Sequence, residues 1–435
     1  MKICASLSSA DDIDRIGKAD MAEVRMDIFD RVPEIKGKEL IVTFRKEPDL
    51  SVLPKNFKGM IDVGEFDVPN TENTISSVHN YSDTPYSAGI SSVLNNLKGD
   101  VVKGAYHVDS FTDLKNLYDA SLSVKKKHVL LGMGEMGTIT RIRQSKLGNE
   151  FTFAYIGEPT APGQLSLEQM IELGDDPMIV GILGHPLDKS LSPKMHNAVM
   201  KKENINGIYL KFDSLELDHV RDVIIDYDIK GMNVTIPHKS FIMEHLDHID
   251  KRAEAVGAFN TVVNDNGTLK GYNTDLIGIE KAMEIAGFDP KGKKALIMGS
   301  GGAARACAFF LNEKDCSVTV TGRNEDTAKE VCRDLGCNHK PKGRITFYLY
   351  DLIINCTPVG MYAEGEYPAN IYRITGNQTV FDMVYGVETP MKSFAKEVGA
   401  KIISGEDMLA AQGAASLEMW TGKNNLFEKM REELN

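Results

Sequence analysis

The chain has 435 residues, 42% of them hydrophobic and 26% charged, with a formal net charge of −12; that length exceeds one ordinary core and points to two or three domains of about 150 residues each. The negative balance argues against a nucleic-acid partner. No run approaches the roughly 18 apolar residues of a membrane helix, and no signal-peptide pattern follows Met1, so a cytoplasmic protein with no membrane partner is expected.

The six cysteines (Cys4, Cys307, Cys316, Cys332, Cys337 and Cys356) contain no Cys-x-x-Cys pair and read as reduced thiols. His245 and His248 lack an HExxH context and read as part of a solvated helix face, so no metal is expected. Lys125, Lys126 and Lys127 read as a positive helix C-terminus.

From the N-terminus come eight strand-like runs: Lys2 to Leu7, Met21 to Met26, Glu39 to Phe44, Met60 to Val63, Thr74 to His79, Asp100 to His107, His128 to Met133 and Phe151 to Ile156. Segments 83–96, 109–125, 135–147 and 164–173 can hold helices, while 65–72 holds barely a turn. Alternation of this kind over 1–174 predicts an α/β fold, a trimmed (β/α)8 barrel, since a full one needs about 250 residues. A barrel keeps its chemistry at the C-terminal ends of its strands. There the chain offers Glu23, Arg25, Arg45, His79, Lys103, Arg141 and Gln164. Lys103 stands in the apolar run Val101-Val-Lys-Gly-Ala105. Facing inward it is either a desolvated, nucleophilic amine or a wall lysine satisfied by a carboxylate such as Glu23.

The successive stretches EVRMD, IVTFR, SSVHNYSDTP, DVVKGAY, LGMGEMGTITRI and TAPGQ resemble the motifs of type I 3-dehydroquinate dehydratases across this segment. The resemblance implies that Lys103 forms an imine with a substrate ketone. His79 would move the proton beside it, and Arg141 would hold a carboxylate bidentately, as a guanidinium fork does. Glu23, Arg25, Arg45, Thr160 and Gln164 would orient hydroxyls and charge. Thr160 replaces the usual serine, and the carboxylate that orients the histidine is either Glu47 or missing.

Glu172 to Pro177 forms a polar seam, after which Ile179 to Leu183 reads as a strand leading to Ser190-Leu-Ser192 and a helix. Each serine is a cap candidate or, at a helix start, an anion contact. Gly231-Met-Asn-Val-Thr-Ile-Pro-His-Lys239 reads as a strand from Met232 to Ile236, stopped by Pro237, with Lys239 beginning a helix. A hairpin (Asn260 to Val263, Thr268 to Tyr272) then opens a helix at Asp275. Alone, Lys239 is a surface lysine and Asp275 a cap; presented together they can form an acid/base pair.

Lys294 to Met298 reads as a buried parallel strand followed by Gly299-Ser300-Gly301-Gly302-Ala303-Ala304, a G-x-G-x-x-A turn into a helix with a further strand at Ser317 to Thr321. At that strand's end stand Gly322-Arg323-Asn324 in place of the acidic residue that grips the ribose of NAD, which suits NADP. Leu409 to Leu417 reads as an amphipathic helix carrying Gln412.

SLSPKMHN, GMNVTIPHK, GAFNTVV and GYNTD, in this order and spacing, resemble the shikimate dehydrogenase family from about Met178 onward. The resemblance implies Lys239 and Asp275 as the catalytic pair, and Ser190, Ser192, Asn233, Thr235, Asn260, Tyr385 and Gln412 as substrate contacts. Residues 299–304, Arg323, Asn324, Thr357 and Met383 would bind NADP. Thr327 stands where a second arginine is common. The expected domains are 1–174 for the barrel, 175–280 with the helices of about 404–435 for the substrate domain, and 281–403 for the nucleotide domain.

Together the two resemblances imply consecutive shikimate-pathway steps on small molecules, 3-dehydroquinate to 3-dehydroshikimate to shikimate. A ligand-sensing regulator built from the same modules, and an NAD-dependent quinate dehydrogenase, are the alternatives. Oligomeric state stays open.

Overall fold

The computed structural model describes residues 1–67, 71–159, 161, 163–361 and 367–434; Thr160 lies outside them. The first half contains β1 (Ile3–Ser6), β2 (Met21–Arg25), β3 (Glu39–Thr43), β4 (Met60–Asp62), β5 (Thr74–Asn80), β6 (Val101–His107), β7 (Lys127–Met133) and β8 (Thr152–Tyr155). They form one parallel sheet in the order β7-β6-β5-β4-β3-β2-β1-β8. All eight expected strands are present. The barrel stops one ladder short of closure, because β7 and β8 are its two ends. At that seam the Asn149 carboxamide takes the place of a strand peptide: it accepts from Leu130 N–H at 2.7 Å and donates to Leu130 C=O at 2.9 Å. The buried backbone of β7 is thereby satisfied without a neighbouring strand.

Around this sheet lie α1 (Ser87–Asn96), α2 (Phe111–Ser123), α3 (Thr138–Ile142) and α4 (Leu167–Leu173). Among the described residues, the links between β1 and β5 hold no α-helix, only 3-10 turns at Ala10–Arg15 and Leu50–Val52, which is how the barrel is trimmed. The Ser110 side chain accepts from Asp113 N–H and starts α2. The lysine run does not end that helix, since α2 stops at Ser123 and Lys127 opens β7. Instead Lys126 Nζ donates to Leu97 C=O, the residue capping α1, so the cation complements a different helix terminus.

The second half contains β9 (Met178–Gly184), α5 (Ser192–Lys202), β10 (Gly207–Asp213), α6 (Val220–Asp226), β11 (Ile229–Val234), β12 (His248–Ile249), α7 (Lys251–Val256), β13 (Thr261–Asp265), β14 (Thr268–Tyr272) and α8 (Asp275–Ile285). Their sheet has the order β10-β9-β11-β13-β14-β12. The hairpin β13–β14 pairs Thr261 with Tyr272 and Val263 with Lys270. It turns at Asn266 and Gly267, both at positive φ, where asparagine and glycine fit best. Lys239 begins no α-helix: after Pro237 the chain runs through a turn into a 3-10 segment, Phe241–His245. His245 and His248 accordingly share no helix face, His248 lying on β12.

β15 (Lys294–Met298), α9 (Gly302–Glu313), β16 (Ser317–Thr321), α10 (Glu325–Leu335), β17 (Asn338–His339), β18 (Leu352–Asn355), β19 (Thr379–Asp382), α11 (Pro390–Glu397) and β20 (Lys401–Ser404) build the third sheet. Its order is β17-β16-β15-β18-β19-β20, parallel throughout. This is the doubly wound dinucleotide topology, whose order reverses beside the first strand and opens a ligand crevice there. α12 (Gly405–Thr421) and α13 (Phe427–Glu432) end the chain. α12 is not amphipathic: thirteen of its seventeen residues are buried, as for a helix enclosed on every side.

The chain divides into two compact units, Met1–Val180 with Asn206–Ile229, and Gly181–Ile205 with Lys230–Asn435. In the first, α6 and its surroundings pack on the barrel's own residues. Arg143 Nε donates to Tyr227 C=O at 2.9 Å and Nη2 to Asp228 C=O at 3.1 Å, satisfying carbonyls just past the end of α6. Tyr227 Oη donates to Leu114 C=O at 2.9 Å, and the rings of Phe111 and Phe212 stack at 5.8 Å.

Candidate active sites

Side chains two apart on a strand share a face, and this periodicity builds the barrel interior in layers. Cys4, Met21, Ile41, Ile75, Val101, Val129 and Phe151 form an apolar floor. Two residues further along β1 to β6 the interior turns polar, with Ser6, Glu23, Thr43, Asp62, Ser77 and Lys103 all buried. Glu23 accepts from Ser6 Oγ at 2.7 Å and Thr43 Oγ1 at 2.8 Å. Asp62 accepts from Ser77 Oγ at 2.7 Å, Gly64 N–H at 3.0 Å and Lys103 Nζ at 3.0 Å. Lys103, 4% exposed, also lies 3.9 Å from Glu23 and 4.4 Å from the Phe153 ring centroid. It faces inward as expected, and Asp62, which the motifs did not single out, is its nearer carboxylate.

One turn of the pleat higher, an open-mouthed cleft is lined by Glu23, Arg25, Arg45, His79, Lys103, Arg141 and Gln164. All the described barrel residues expected at the site are thus gathered in one hollow. Burial, with the nearby charges of Lys103 and Arg45, pushes His79 down to about 3 against the opposing pull of Asp62, so its imidazole is neutral near pH 7 and able to take a proton. No hydrogen bond to His79 comes from the exposed Glu47. Arg45 Nη1 occupies the place beside the ring, 3.2 Å from Nε2 and 3.4 Å from Nδ1. Arg25 is already paired with Asp27, at 3.2 Å through Nε and 2.6 Å through Nη2.

Arg141 is different. It is 2% exposed, Nη1 donates to Gly132 C=O at 2.6 Å, and Nε has no partner among the described residues. Burial draws the guanidinium down to about 10. A buried cation without a carboxylate is costly unless an anion is meant to complete it, which marks this end of the cleft as an anion seat.

In the second unit, Lys239 Nζ is ion-paired with Asp275 Oδ2, and the two line a cleft with Ser192, Asn233, Thr235, Asn260, Tyr385 and Gln412. Asn260 is the hub behind them. Its Nδ2 donates to Asp275 Oδ1 at 2.8 Å and Thr274 Oγ1 at 3.0 Å, and its Oδ1 accepts from Thr274 N–H at 2.6 Å. Asn233 Nδ2 donates to Ser416 Oγ at 2.8 Å, and Thr261 and Thr274 reach the same hydroxyl at 2.9 and 3.2 Å. The result is a fully hydrogen-bonded buried network that fixes the carboxylate facing Lys239. Ser190 does not reach the cleft lining; its Oγ is buried without a partner among the described residues. Neither serine caps α5, whose N-cap is Leu191.

At the reversal of the third sheet, the loop Gly299 to Gly302 leads from β15 into the twelve residues of α9. Gly299 has φ +124, where a Cβ would meet Cys356 C=O at 3.0 Å, while beside Gly301 there is open space within 4 Å. At Gly302 a Cβ would stand 2.9 Å from Lys239 Cδ, so this glycine lets the lysine lie against α9. Arg323 is exposed with no ion-pair partner among the described residues, and Asn324 caps α10 by accepting from Asp326 N–H and Thr327 N–H. Thr327 Oγ1 lies 2.8 Å from Ser300 Oγ. With bare glycine backbone at a helix N-terminus and a free cation at the end of β16, the residues present fit a dinucleotide carrying a 2′-phosphate.

Below the crevice, Asn355 Oδ1 accepts from Thr357 N–H at 3.0 Å and Thr357 Oγ1 at 2.6 Å, and Asn355 Nδ2 donates to Asp382 at 2.9 Å. Ala303, Met383 and Tyr385 line the same cleft as Lys239, whereas Ala304 is buried in the core beneath. Ser416, Thr261, Thr274, Asn355 and Asp382 were not among the expected site residues. Thr261, Thr274 and Asp382 adjoin named residues, which was the available signal; Ser416 carried none.

Three family models match the chain: "Shikimate dehydrogenase substrate binding domain" at residues 182–262, "Type I 3-dehydroquinase" at 64–174 and "Shikimate 5'-dehydrogenase C-terminal domain" at 405–434. The shikimate dehydrogenase (NADP(+)) of Methanococcus maripaludis is 42% identical over 263 residues, 57% of this chain and 94% of that protein. That of Moorella thermoacetica is 39% identical over 271 residues, 58% and 91% respectively. Among solved structures, shikimate 5-dehydrogenase from Thermus thermophilus in complex with NADP(H) and shikimate is 31% identical, with a TM-score of 0.54, covering 59% of this chain and 98% of that one. Quinate dehydrogenase from Corynebacterium glutamicum in complex with NAD is 26% identical, with a TM-score of 0.55, covering 60% and 99%.

Proposed function

Since the chain belongs to the shikimate dehydrogenase family and carries a type I 3-dehydroquinase domain ahead of that part, we propose that it dehydrates 3-dehydroquinate through a lysine imine and then reduces the product, 3-dehydroshikimate, to shikimate with NADPH. It is a lyase and an NADP-dependent oxidoreductase of the shikimate pathway. Residues 1–174 would carry the first step, 175–280 with about 404–435 the second substrate, and 281–403 the nucleotide.

In the barrel, the Lys103 amine adds to the substrate ketone and loses water to give an iminium. The iminium draws electron density from the neighbouring carbon, whose proton passes to neutral His79. The enamine so formed expels the hydroxyl on the next carbon, which leaves as water with the proton from His79, and hydrolysis of the imine frees Lys103. Arg141 holds the carboxylate, Arg25, Arg45 and Gln164 the hydroxyls, and Asp62 with Glu23 hold Lys103 in place. Thr160 would assist as a hydroxyl contact. What most supports this reading is Lys103 enclosed in the same hollow as a neutral histidine and an anion-seeking arginine.

NADPH, when bound, supplies a hydride to the ketone carbon. Residues 299–304, Arg323, Asn324, Thr357 and Met383 would hold it. Lys239 and Asp275 deliver the proton to the new alkoxide, while Ser192, Asn233, Thr235, Asn260, Tyr385 and Gln412 fix the carboxylate and hydroxyls. The unpaired Arg323 speaks for NADP over NAD, and so for synthesis rather than quinate breakdown. Both sites keep their full sets of reactive groups, which leaves little room for a sensor with dead sites.

Borohydride with 3-dehydroquinate should leave a reduced adduct on Lys103, and Lys239→Ala or Asp275→Asn should abolish shikimate oxidation while 3-dehydroquinate is still consumed. An unmodified Lys103 in an actively dehydrating chain would overturn the imine step.

A further inference from the structure

Behind the dinucleotide crevice the sulfur of Cys356 stands between those of Cys307 and Met383. Cys356 Sγ, just past β18, lies 3.5 Å from Met383 Sδ, just past β19, and 4.0 Å from Cys307 Sγ, on α9. The site sits where the order of the sheet reverses, so three separate elements each contribute one donor. Cys307 is fully buried, whereas Cys356 and Met383 are half-buried, and Met383 lines the cleft that holds Lys239 and Asp275. No group of three His, Cys, Asp or Glu among the described residues could hold a metal; this cluster differs by using a thioether as its third donor.

With metal–sulfur bonds of about 2.3 Å, three ligands in a trigonal plane stand about 4 Å apart. The separations of 4.0 and 3.5 Å from Cys356 to its two neighbours are near that figure. Two thiols and a thioether, with no hard oxygen ligand, suit soft ions over magnesium or calcium, and a thioether in a three-ligand set falls outside the four-coordinate Cys, His and carboxylate sites that zinc takes. We propose that Cys307, Cys356 and Met383 form a binding site for a soft monovalent cation, Cu(I), entered from the cleft.

Binding breaks two S–H bonds and releases both protons to solvent. Two metal–thiolate bonds and one dative thioether bond form, and no electron is transferred. Until then, burial followed by the Cys356 neighbour keeps the Cys307 thiol well above its ordinary range, as a neutral buried group. The loaded site carries one net negative charge within electrostatic reach of Asp275 and Lys239, both of which act on Cys307. It also ties Met383 and the residue preceding Thr357 to α9. Copper loading therefore stops the reductase while sparing the dehydratase, whose residues all lie in the other unit. This consequence rests on the function proposed above; the binding itself does not.

The test is anaerobic titration of the full chain with Cu(I) buffered by a chromophoric chelator, with x-ray absorption on the loaded protein and assays of both activities. Expected are one tightly held equivalent, three sulfur neighbours, and loss of dehydrogenase turnover alone. Cys307→Ser and Cys356→Ala, made separately in case one fails to fold, should each weaken binding about a hundredfold. A double Cys332→Ser/Cys337→Ser variant, which removes the other neighbouring thiol pair, should bind as the parent does. Binding that follows the 332/337 pair, oxygen or nitrogen ligation, or a Cys307–Cys356 disulfide in place of bound metal would each overturn the proposal. Copper bound as described to a chain that never reduces the ketone would instead overturn the proposed activity and leave the metal site standing.

Discussion

Lys103 on β6 and Asp62 on β4 are joined by an ion pair of 3.0 Å in which both side chains are buried. Burial pushes the Asp62 carboxyl up, but Lys103, Ser77 and the Gly64 N–H outweigh it and hold the group below its usual range. Its contribution to stability is therefore fully present above the ordinary carboxylate range and is lost as pH falls through the lowered value. Asp62→Asn should cost about 2–4 kcal/mol of barrel stability in urea unfolding. It should also cut dehydration about a hundredfold with the reductase unchanged. An unaltered dehydration rate would mean that Glu23 alone positions the amine.

His79 makes a prediction about acid. Its folded value is about 3 and its ordinary value 6.5, so between those limits the unfolded chain binds the extra proton and stability drops as pH falls. The slope of unfolding free energy against pH over 6.5 to about 4 should be shallower in His79→Gln than in the parent. The parent's dehydratase profile should show no acid limb near pH 6.5. A limb there, absent in the reductase, would place a charged imidazole in the cleft and remove His79 as the resting base.

Arg141 trades stability for its task. Replacing a buried cation that has an unpaired Nε by a similar-sized apolar side chain is often stabilising. Arg141→Met should raise the unfolding free energy by about 1–2 kcal/mol while abolishing dehydration. Calorimetry with and without product separates the two effects, since the product should stabilise the barrel's own unfolding transition in the parent and not in the variant.

Arg323→Ala is expected to raise the KM for NADPH about tenfold, the loss of one charge-assisted contact, and to leave NADH kinetics alone. Equal losses with both dinucleotides would show that the arginine does not read the 2′-phosphate.

Asn149→Ala removes the carboxamide that stands in for a strand. Leu130 N–H and C=O are then left unpaired in the interior, at a cost of about 2–3 kcal/mol. Hydrogen exchange should speed up first at Leu130.

Much of this architecture could be read from residue pattern. The eight barrel runs, the hairpin and the strand–glycine–helix turn are local signals of periodicity and turn chemistry, and each appears within a residue or two of its expected bounds. What escaped depended on contacts distant in sequence. Asp62 ends a three-residue strand with no motif around it. Asn149 looks like a loop residue until β7 is seen to lack a neighbour. After Pro237 the sequence predicts a helix beginning at Lys239, whereas a turn stands there, and the tertiary hydrogen bond from Phe259 N–H to Lys239 C=O at 2.7 Å helps hold it. Leu409 to Leu417 reads as amphipathic, whereas its alanines and glycine allow the helix to be enclosed on all sides.

The stretch Asn206–Ile229 belongs by sequence to the reductase, yet it is housed with the lyase. A gene cut at residue 175 would strip Phe212 and Tyr227 of Phe111 and Leu114, and leave the carbonyls served by Arg143 to water. The merger has thus made part of the reductase a structural component of the lyase: separating the two enzymes exposes apolar surface and unpaired carbonyls that neither half covers by itself.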